Sequence, residues 1–439
     1  MSQHEYPQDL RTIMGRLTRR DLMKTVVVAG GAVVWAGYGR SPVSARQGGT
    51  TLSQWYHEYG EAGTQDAALS YAQAYTSDPA GDPNVTVEMV WNPGDYAAKL
   101  NAALLTPDGP DIYELGGITT AAINANQAVS LNDLYTEEVR ADFSPLSIQV
   151  NEYQGNVYGV RMVTDTGGIY YRPSLLEAAG VAPPTTFDEL IAASTALGTG
   201  RQKGLFCGND GGISAWLTLL PAAAGSGIID GTTLQFNNER SVLAYQKLVE
   251  LQGTGSLLTG APVEWFDPSS FTQGLVAMQW CGLWAMPQIQ RELGEDFGVV
   301  PLPALDAEGR PATFFGGWSQ FVNGNRPNVD AAKAFVNWLW INKTDLQTDW
   351  NLAYGFHVPP RISVANAATQ LQSGPPADMV QAMNDYGQIL PPTWTGTMGT
   401  ILGDAVTNAV QGGGDIAAAL ADAETQINAE LQRSATPTA

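Results

Sequence analysis

Apolar and polar side chains alternate along residues 51–56 and again along 85–90, the period-two pattern of a half-buried strand. Between these stretches, residues 67–75 place Ala, Leu and Tyr on one face at helical spacing. Residues 96–105 repeat that pattern behind Asp95, a residue suited to capping a helix N-terminus. Residues 110–115 form a third, shorter extended run. The order strand, helix, strand, helix, strand predicts a parallel sheet with right-handed crossovers. Further along, 159–165 and 169–171 read as extended. Residues 173–179 read as a short helix closed by Gly180, and 186–197 as a helix opened by Thr186 with Asp188 and Glu189 in its first turn. Amphipathic helices are predicted over 240–251, 331–342 and 415–431. The alternation of strands and helices places the chain in the α/β class.

The first 45 residues differ from the rest. Arg19 and Arg20 precede Leu22 and Lys24, residues 25–39 carry no charge, and Val43, Ser44 and Ala45 offer small residues for cleavage. Basic, apolar and small-residue regions in this order describe a secretory signal. The apolar stretch is shorter than a membrane span requires. It resembles a twin-arginine export signal. No cysteine stands near the cut that could carry a lipid, so an exported periplasmic or cell-envelope protein is expected, free or held by an uncut signal. Cys207 and Cys281 are isolated from each other and from any C-x-x-C pair, which points away from zinc or redox chemistry. Two buried thiols or a disulfide both remain open.

At 439 residues the chain is long enough for two or three domains. Its formal net charge is −21, and six of its 22 basic residues but only three of its 43 acidic ones fall in that first segment. The remainder is therefore even more acidic than the whole. Such a body repels phosphate backbones and anionic lipid, and no nucleic-acid partner is expected.

Catalytic constellations are missing. The histidines are His4, His57 and His357, and neither an H-E-x-x-H pair, a G-x-S-x-G elbow nor a phosphate-binding loop occurs. The abundant carboxylates leave a glycosidase-type acid pair open. The aromatic residues are more informative. Trp55, Tyr56 and Tyr59 surround His57, Glu58 and Glu61; Trp280 and Trp284 flank Cys281 and Gly282; Gly316 and Gly317 precede Trp318. Indole faces beside carboxylates suit the C–H faces and hydroxyls of a sugar, and glycine lets a ligand approach the backbone.

Several blocks in a fixed order resemble the extracytoplasmic solute-binding proteins of bacterial carbohydrate ABC importers, the maltose- and trehalose-type group. They are residues 94–104 with 109–112, 157–161, 169–172, 179–190, 274–278, 282–284, 298–303, 316–318, 331–336 and 358–361. Arg172 departs from the family's usual asparagine. The resemblance covers about residues 51–431. It implies a two-lobed periplasmic-binding-protein fold (type II), each lobe an α/β sandwich, with the ligand in the cleft. It implies lobe 1 over 46–165 and 304–354, lobe 2 over 166–303 and 355–431, a signal segment over 1–45 and a loose tail over 432–439. Crossings are expected near Asp165–Gly168, Val299–Pro303 and Tyr354–Pro359.

By the same resemblance, Tyr56, His57, Glu58 and Glu61 face the cleft, as do Gly117, Asp165, Trp284, Gly317, Trp318 and Arg361; Trp216 and Trp394 fit more loosely. The implied function is capture of a mono- or oligosaccharide by hinge closure and its delivery to ABC permease subunits. The protein is expected to be a monomer without enzymatic activity, cofactor or metal. Two alternatives stand beside it: a binding protein for a polyol or glycerophosphodiester, with Arg361 or Arg161 as the only phosphate partners, and a secreted carbohydrate-active enzyme.

Overall fold

A computed structural model describes residues 49–354 and 356–435. The predicted export signal lies outside these residues, as do residues 436–439 of the predicted tail; residues 432–435, expected to be loose, instead continue the helix Ile416–Ala435. Eleven strands carry the architecture: β1 (Thr50–His57), β2 (Val85–Asn92), β3 (Ile112–Leu115), β4 (Gly159–Arg161), β5 (Gly167–Tyr171), β6 (Lys203–Phe206), β7 (Val276–Gly282), β8 (Gly298–Val300), β9 (Thr313–Phe314), β10 (Ser319–Val322) and β11 (Gly387–Gln388). Nine of them form two main sheets, and β9 and β11 pair with each other. The first has the order β2-β1-β3-β10-β4 and the second β8-β5-β7-β6.

In the first sheet β1 runs parallel to both β2 and β3, with Thr50 opposite Val85 and Gln54 opposite Ile112. This is the parallel pairing that the opening alternation requires. Its crossovers are helix α1 (Thr64–Ser77) and helix α2 (Tyr96–Ala103). The Asp95 side chain accepts a hydrogen bond from the Ala98 N–H, which fixes where α2 begins. Strand β10 then joins antiparallel to β3 and β4. Both faces of this sheet are covered. One buries Leu52, Val85, Ile112, Val336 and Trp340, and the other buries Tyr96, Leu100, Tyr113 and Phe321.

The second sheet is built around β7, buried along its whole length. It pairs antiparallel with β5 and parallel with β6. Helix α3 (Phe187–Leu197) packs against it, opened by a reciprocal cap in which Thr186 and Glu189 each bond the other's backbone. Trp216, Trp280 and Tyr245 fill one side, and Tyr170, Phe206, Phe271 and Met383 fill the other. Each sheet thus lies between helical layers, giving a two-lobed α/β molecule.

Three segments connect the lobes. The first lies between β4 and β5. The second differs from expectation. Leu302 pairs with Ala312, β9 pairs with β11, and Leu305 and Ala312 are buried in the second core. Residues 304–314 therefore stay with the second lobe, and the crossing falls at 315–318, just before β10. Their apolar side chains had a core to enter that the local pattern did not reveal. In the third, Val358 bridges Thr164, and Gly316 bridges Asp165, so all three segments are stitched together by short antiparallel pairs. Among the described residues no helix is long and apolar enough to cross a membrane.

Candidate functional site

The carboxyl ends of parallel strands are where open α/β sheets place ligands, because loops diverge there and leave a crevice. Strand β1 ends at His57. The following loop, the crossing segments and the second lobe enclose a cavity of about 660 Å³. From the first lobe and the crossings come His57, Glu58, Tyr59, Glu61, Asp165, Trp318 and His357; from the second come Trp265, Phe266, Asp267, Pro268, Trp284 and Gln288.

Two imidazole–carboxylate units organise its floor. In the first, Glu114 on β3 is fully buried. Its Oε1 accepts the His57 backbone N–H at 2.6 Å and also engages His57 Nδ1, while Oε2 accepts the Tyr59 hydroxyl at 2.8 Å. Burial, then the charge of Glu114, holds the Tyr59 hydroxyl well above its ordinary pKa, so Tyr59 stays a donor. With Nδ1 engaged, the His57 ring presents its other edge to the cavity. Trp318 stacks on it at 4.2 Å with 25° between planes.

In the second unit, His357 Nδ1 lies 2.7 Å from Asp165 Oδ1, and Nε2 lies 3.5 Å from Glu61 Oε1. Burial alone would push the imidazole pKa down. Asp165 and then Glu61 outweigh it and raise the pKa to about 10. The reciprocal effect appears at Glu61, where burial works upward but His357 brings the carboxyl below its ordinary value.

Across the cavity the second lobe supplies aromatic surface. Trp284 lies 5.9 Å from Trp265 and 6.4 Å from Phe314, and its Nε1–H donates to the Phe266 carbonyl at 3.0 Å. Gly282 makes this indole position possible, since a Cβ there would overlap the Trp284 ring.

Of the residues singled out in the sequence, His57, Glu58, Glu61, Asp165, Trp284 and Trp318 all line this cavity. The others lie elsewhere. Tyr56 is buried behind the floor, stacked on Trp91 at 5.0 Å, because the inward side of β1 belongs to the core. Gly117 backs onto Val150. Gly317 shapes the turn before Trp318: its φ is +103°, and a Cβ would overlap the Val163 carbonyl oxygen. Trp216 and Trp394 are buried in the second core. Arg361 is tied up outside the cavity: Nε donates to Asp142 Oδ2 at 2.6 Å, Nη1 to the Ile341 carbonyl at 2.8 Å, and the guanidinium covers Phe143. Arg161 is buried behind the floor and donates to the Gly116 and Gly316 carbonyls. Cys207 and Cys281 are separate buried thiols.

Sequence reasoning missed Tyr59, Trp265, Phe266, Asp267, Gln288 and His357 as lining residues. The aromatic run Trp265–Phe266 was an available signal; His357 was not, because its partners are remote in sequence.

Comparison with known proteins places these observations. The profile of the family described as bacterial extracellular solute-binding protein matches residues 62–340. A probable ABC transporter-binding protein of Deinococcus radiodurans is 27% identical over 244 residues, 52% of this chain and 58% of that protein. A maltotriose-binding protein of Pyrococcus abyssi is 22% identical over 281 residues, 59% of this chain and 57% of that protein. The chain thus spans somewhat over half the length of these curated relatives. The fold matches the crystal structure of an ABC transporter solute-binding protein from Thermotoga lettingae bound with α-D-tagatose. That match has a TM-score of 0.73 at 20% identity and covers 87% of this chain and 100% of the other. With its profile match running over more than half its length, the chain belongs to the bacterial extracellular solute-binding protein family.

Proposed function

We propose that the protein captures a neutral sugar, mono- or oligosaccharide, between its lobes and delivers it to the permease of an ABC importer. The observation that carries this reading is the lining of the cavity. Indoles from opposite lobes, Trp318 and Trp284, face a floor of hydrogen-bonding carboxylates and imidazoles. Apolar faces with a few placed polar groups are the general chemistry of sugar sites. The names of the Pyrococcus and Thermotoga proteins, a maltotriose binder and a tagatose complex, support the same ligand class.

The reading extends to movement and place. The lobes, 49–165 with 318–354 and 166–314 with 359–431, close over the ligand about the three crossings, giving a permease two states to tell apart. Residues 1–45 act as a twin-arginine export signal, and the protein works as a monomer outside the cytoplasm. The glycerophosphodiester alternative is disfavoured by the cations: no Lys or Arg is among the described lining residues, and Arg361 and Arg161 have other partners. Catalysis is not part of the proposal.

A thermal-shift panel of neutral sugars, polyols and glycerophosphodiesters tests it. A ligand at a hundredfold excess over Kd stabilises the folded form by about 2.7 kcal/mol. A shift with a neutral sugar that disappears in Trp284→Ala is expected. A shift with phosphodiesters alone, or cleavage of a glycan without a shift, would overturn the proposal.

A further inference from the structure

The third crossing segment sends one side chain into the floor of the cavity. His357 is 4% exposed, and its backbone N–H donates to the Asn351 carbonyl at 3.0 Å, which fixes the main chain beneath the ring. The ring spans two other segments. Nδ1 faces Asp165 of the first crossing, and Nε2 faces Glu61 of the loop after β1. A neutral imidazole has one N–H and one lone pair, so it would turn a lone pair toward one of these carboxylates. The protonated ring offers an N–H to each. The elevated pKa of about 10 agrees with this geometry.

The remaining titratable groups around the ring do not compete for it. His57 and Tyr59 at the end of β1 are held by Glu114. Arg161 is buried and feels the charge of Asp165, but its Nη groups donate to the Gly116 and Gly316 carbonyls and to Ser319 Oγ rather than to the carboxylate. Glu58 and Asp267 complete the lining. Each carboxylate has two oxygens, and the ring faces only Oδ1 of Asp165 and Oε1 of Glu61.

Resting on the carbohydrate reading, we propose that His357 is the positioning residue of the cleft: clamped between Asp165 and Glu61, it aims their second oxygens at two hydroxyls of a neutral sugar. Its single positive charge leaves a lining that also holds Glu58 and Asp267 net acidic, so anionic sugars are excluded. The same carboxylates without the ring would repel each other and turn toward solvent.

Calorimetric titration of the full-length protein with maltotriose, D-tagatose and D-glucuronate, from about pH 6 to 11, tests this. The wild type is expected to bind a neutral sugar with near-constant affinity to about pH 9, to lose affinity as His357 deprotonates, and to bind no glucuronate. His357→Gln should weaken binding about tenfold or more at pH 7, a loss of about 1.4 kcal/mol per decade. It should also abolish the alkaline decline specific to the wild type. Imidazole should restore binding to His357→Ala at pH 7. Glu61→Gln changes a partly exposed loop residue, so it keeps the test open if the His357 variants fail to fold. It should weaken binding and move the alkaline decline to lower pH. Wild-type affinity and pH profile in both His357→Gln and Glu61→Gln would overturn the assignment while leaving the carbohydrate reading intact. Failure of the wild type to bind any neutral sugar would instead remove that reading, and this one with it.

Discussion

Replacing Glu114 with Gln changes no shape and removes one buried charge, so it isolates what that charge contributes. The carboxylate receives three donors: the His57 backbone N–H, His57 Nδ1 and the Tyr59 hydroxyl. Hydrogen bonds to a charged group contribute about 1.5–3 kcal/mol each and neutral ones about 0.5–1.5 kcal/mol. The amide oxygen can keep the two His57 donors, and the Tyr59 hydroxyl can turn to accept from the amide N–H. Three charge-assisted bonds then become neutral, a loss of about 1 kcal/mol apiece and about 3 kcal/mol together. Glu114→Leu strands all three donors and should cost about 3–5 kcal/mol. Urea unfolding followed by circular dichroism and by tryptophan fluorescence is the assay, since two lobes need not unfold as one. The first lobe's transition should move and the second's should stay. In Glu114→Leu sugar affinity should also fall, because the His57 ring under Trp318 loses its anchor. A Glu114→Gln protein within about 0.5 kcal/mol of wild type would refute the reasoning, since that is the scatter of a neutral surface change.

Three further outcomes follow from the structure. Gly317→Ala places a side chain at φ +103° against the Val163 carbonyl oxygen, so it should destabilise by about 1–3 kcal/mol or more and weaken sugar binding by shifting Trp318; calorimetric melting and titration check both. Arg361→Ala should cost about 1–3 kcal/mol in urea unfolding, from its lost bonds to Asp142 and Ile341, yet leave sugar affinity within about twofold. For pH, the folded pKa of His357 is raised from 6.5 to about 10, so its contribution is complete below 6.5 and drains away as pH rises through 10. The slope of stability there approaches about 1.4 kcal/mol per pH unit. Glu61, lowered from 4.5, contributes above that value and loses its contribution as pH falls through its folded pKa. Urea midpoints measured across pH should therefore show this triad's support greatest between about 4.5 and 6.5, and a flat profile from 6.5 to 10 would contradict the clamp.

The parts of the fold legible in the sequence are those where one face meets water. Strands β1 and β2 and helix α3 announced themselves because burial alternated at their own period, and Asp95 and Thr186 marked helix starts through caps. Strand β7 gave no such sign: Val276–Gly282 is buried on both faces, so its apolar run lacks alternation. The helix Gly374–Tyr386 opens on Gly-Pro-Pro, which reads locally as a turn although proline suits a first helical turn. The site followed the same division. Trp284 and Trp318 stood beside glycines, a local signal: Gly282 makes room for the Trp284 ring and Gly317 shapes the turn before Trp318. His357 had none, since it meets Asp165 across 192 residues of sequence. Arg361 misled for the same reason, because its partner Asp142 is 219 residues away.

On the proposed reading, the cavity between the lobes holds a neutral sugar. A crystal structure of the protein grown with the sugar that gives the largest thermal shift tests it most directly. A sugar ring is expected between Trp318 and Trp284, with hydroxyls donating to Asp165 and Glu61 on either side of His357. A ligand bound elsewhere, or one held in the cavity without contact to either indole or either carboxylate, would contradict it.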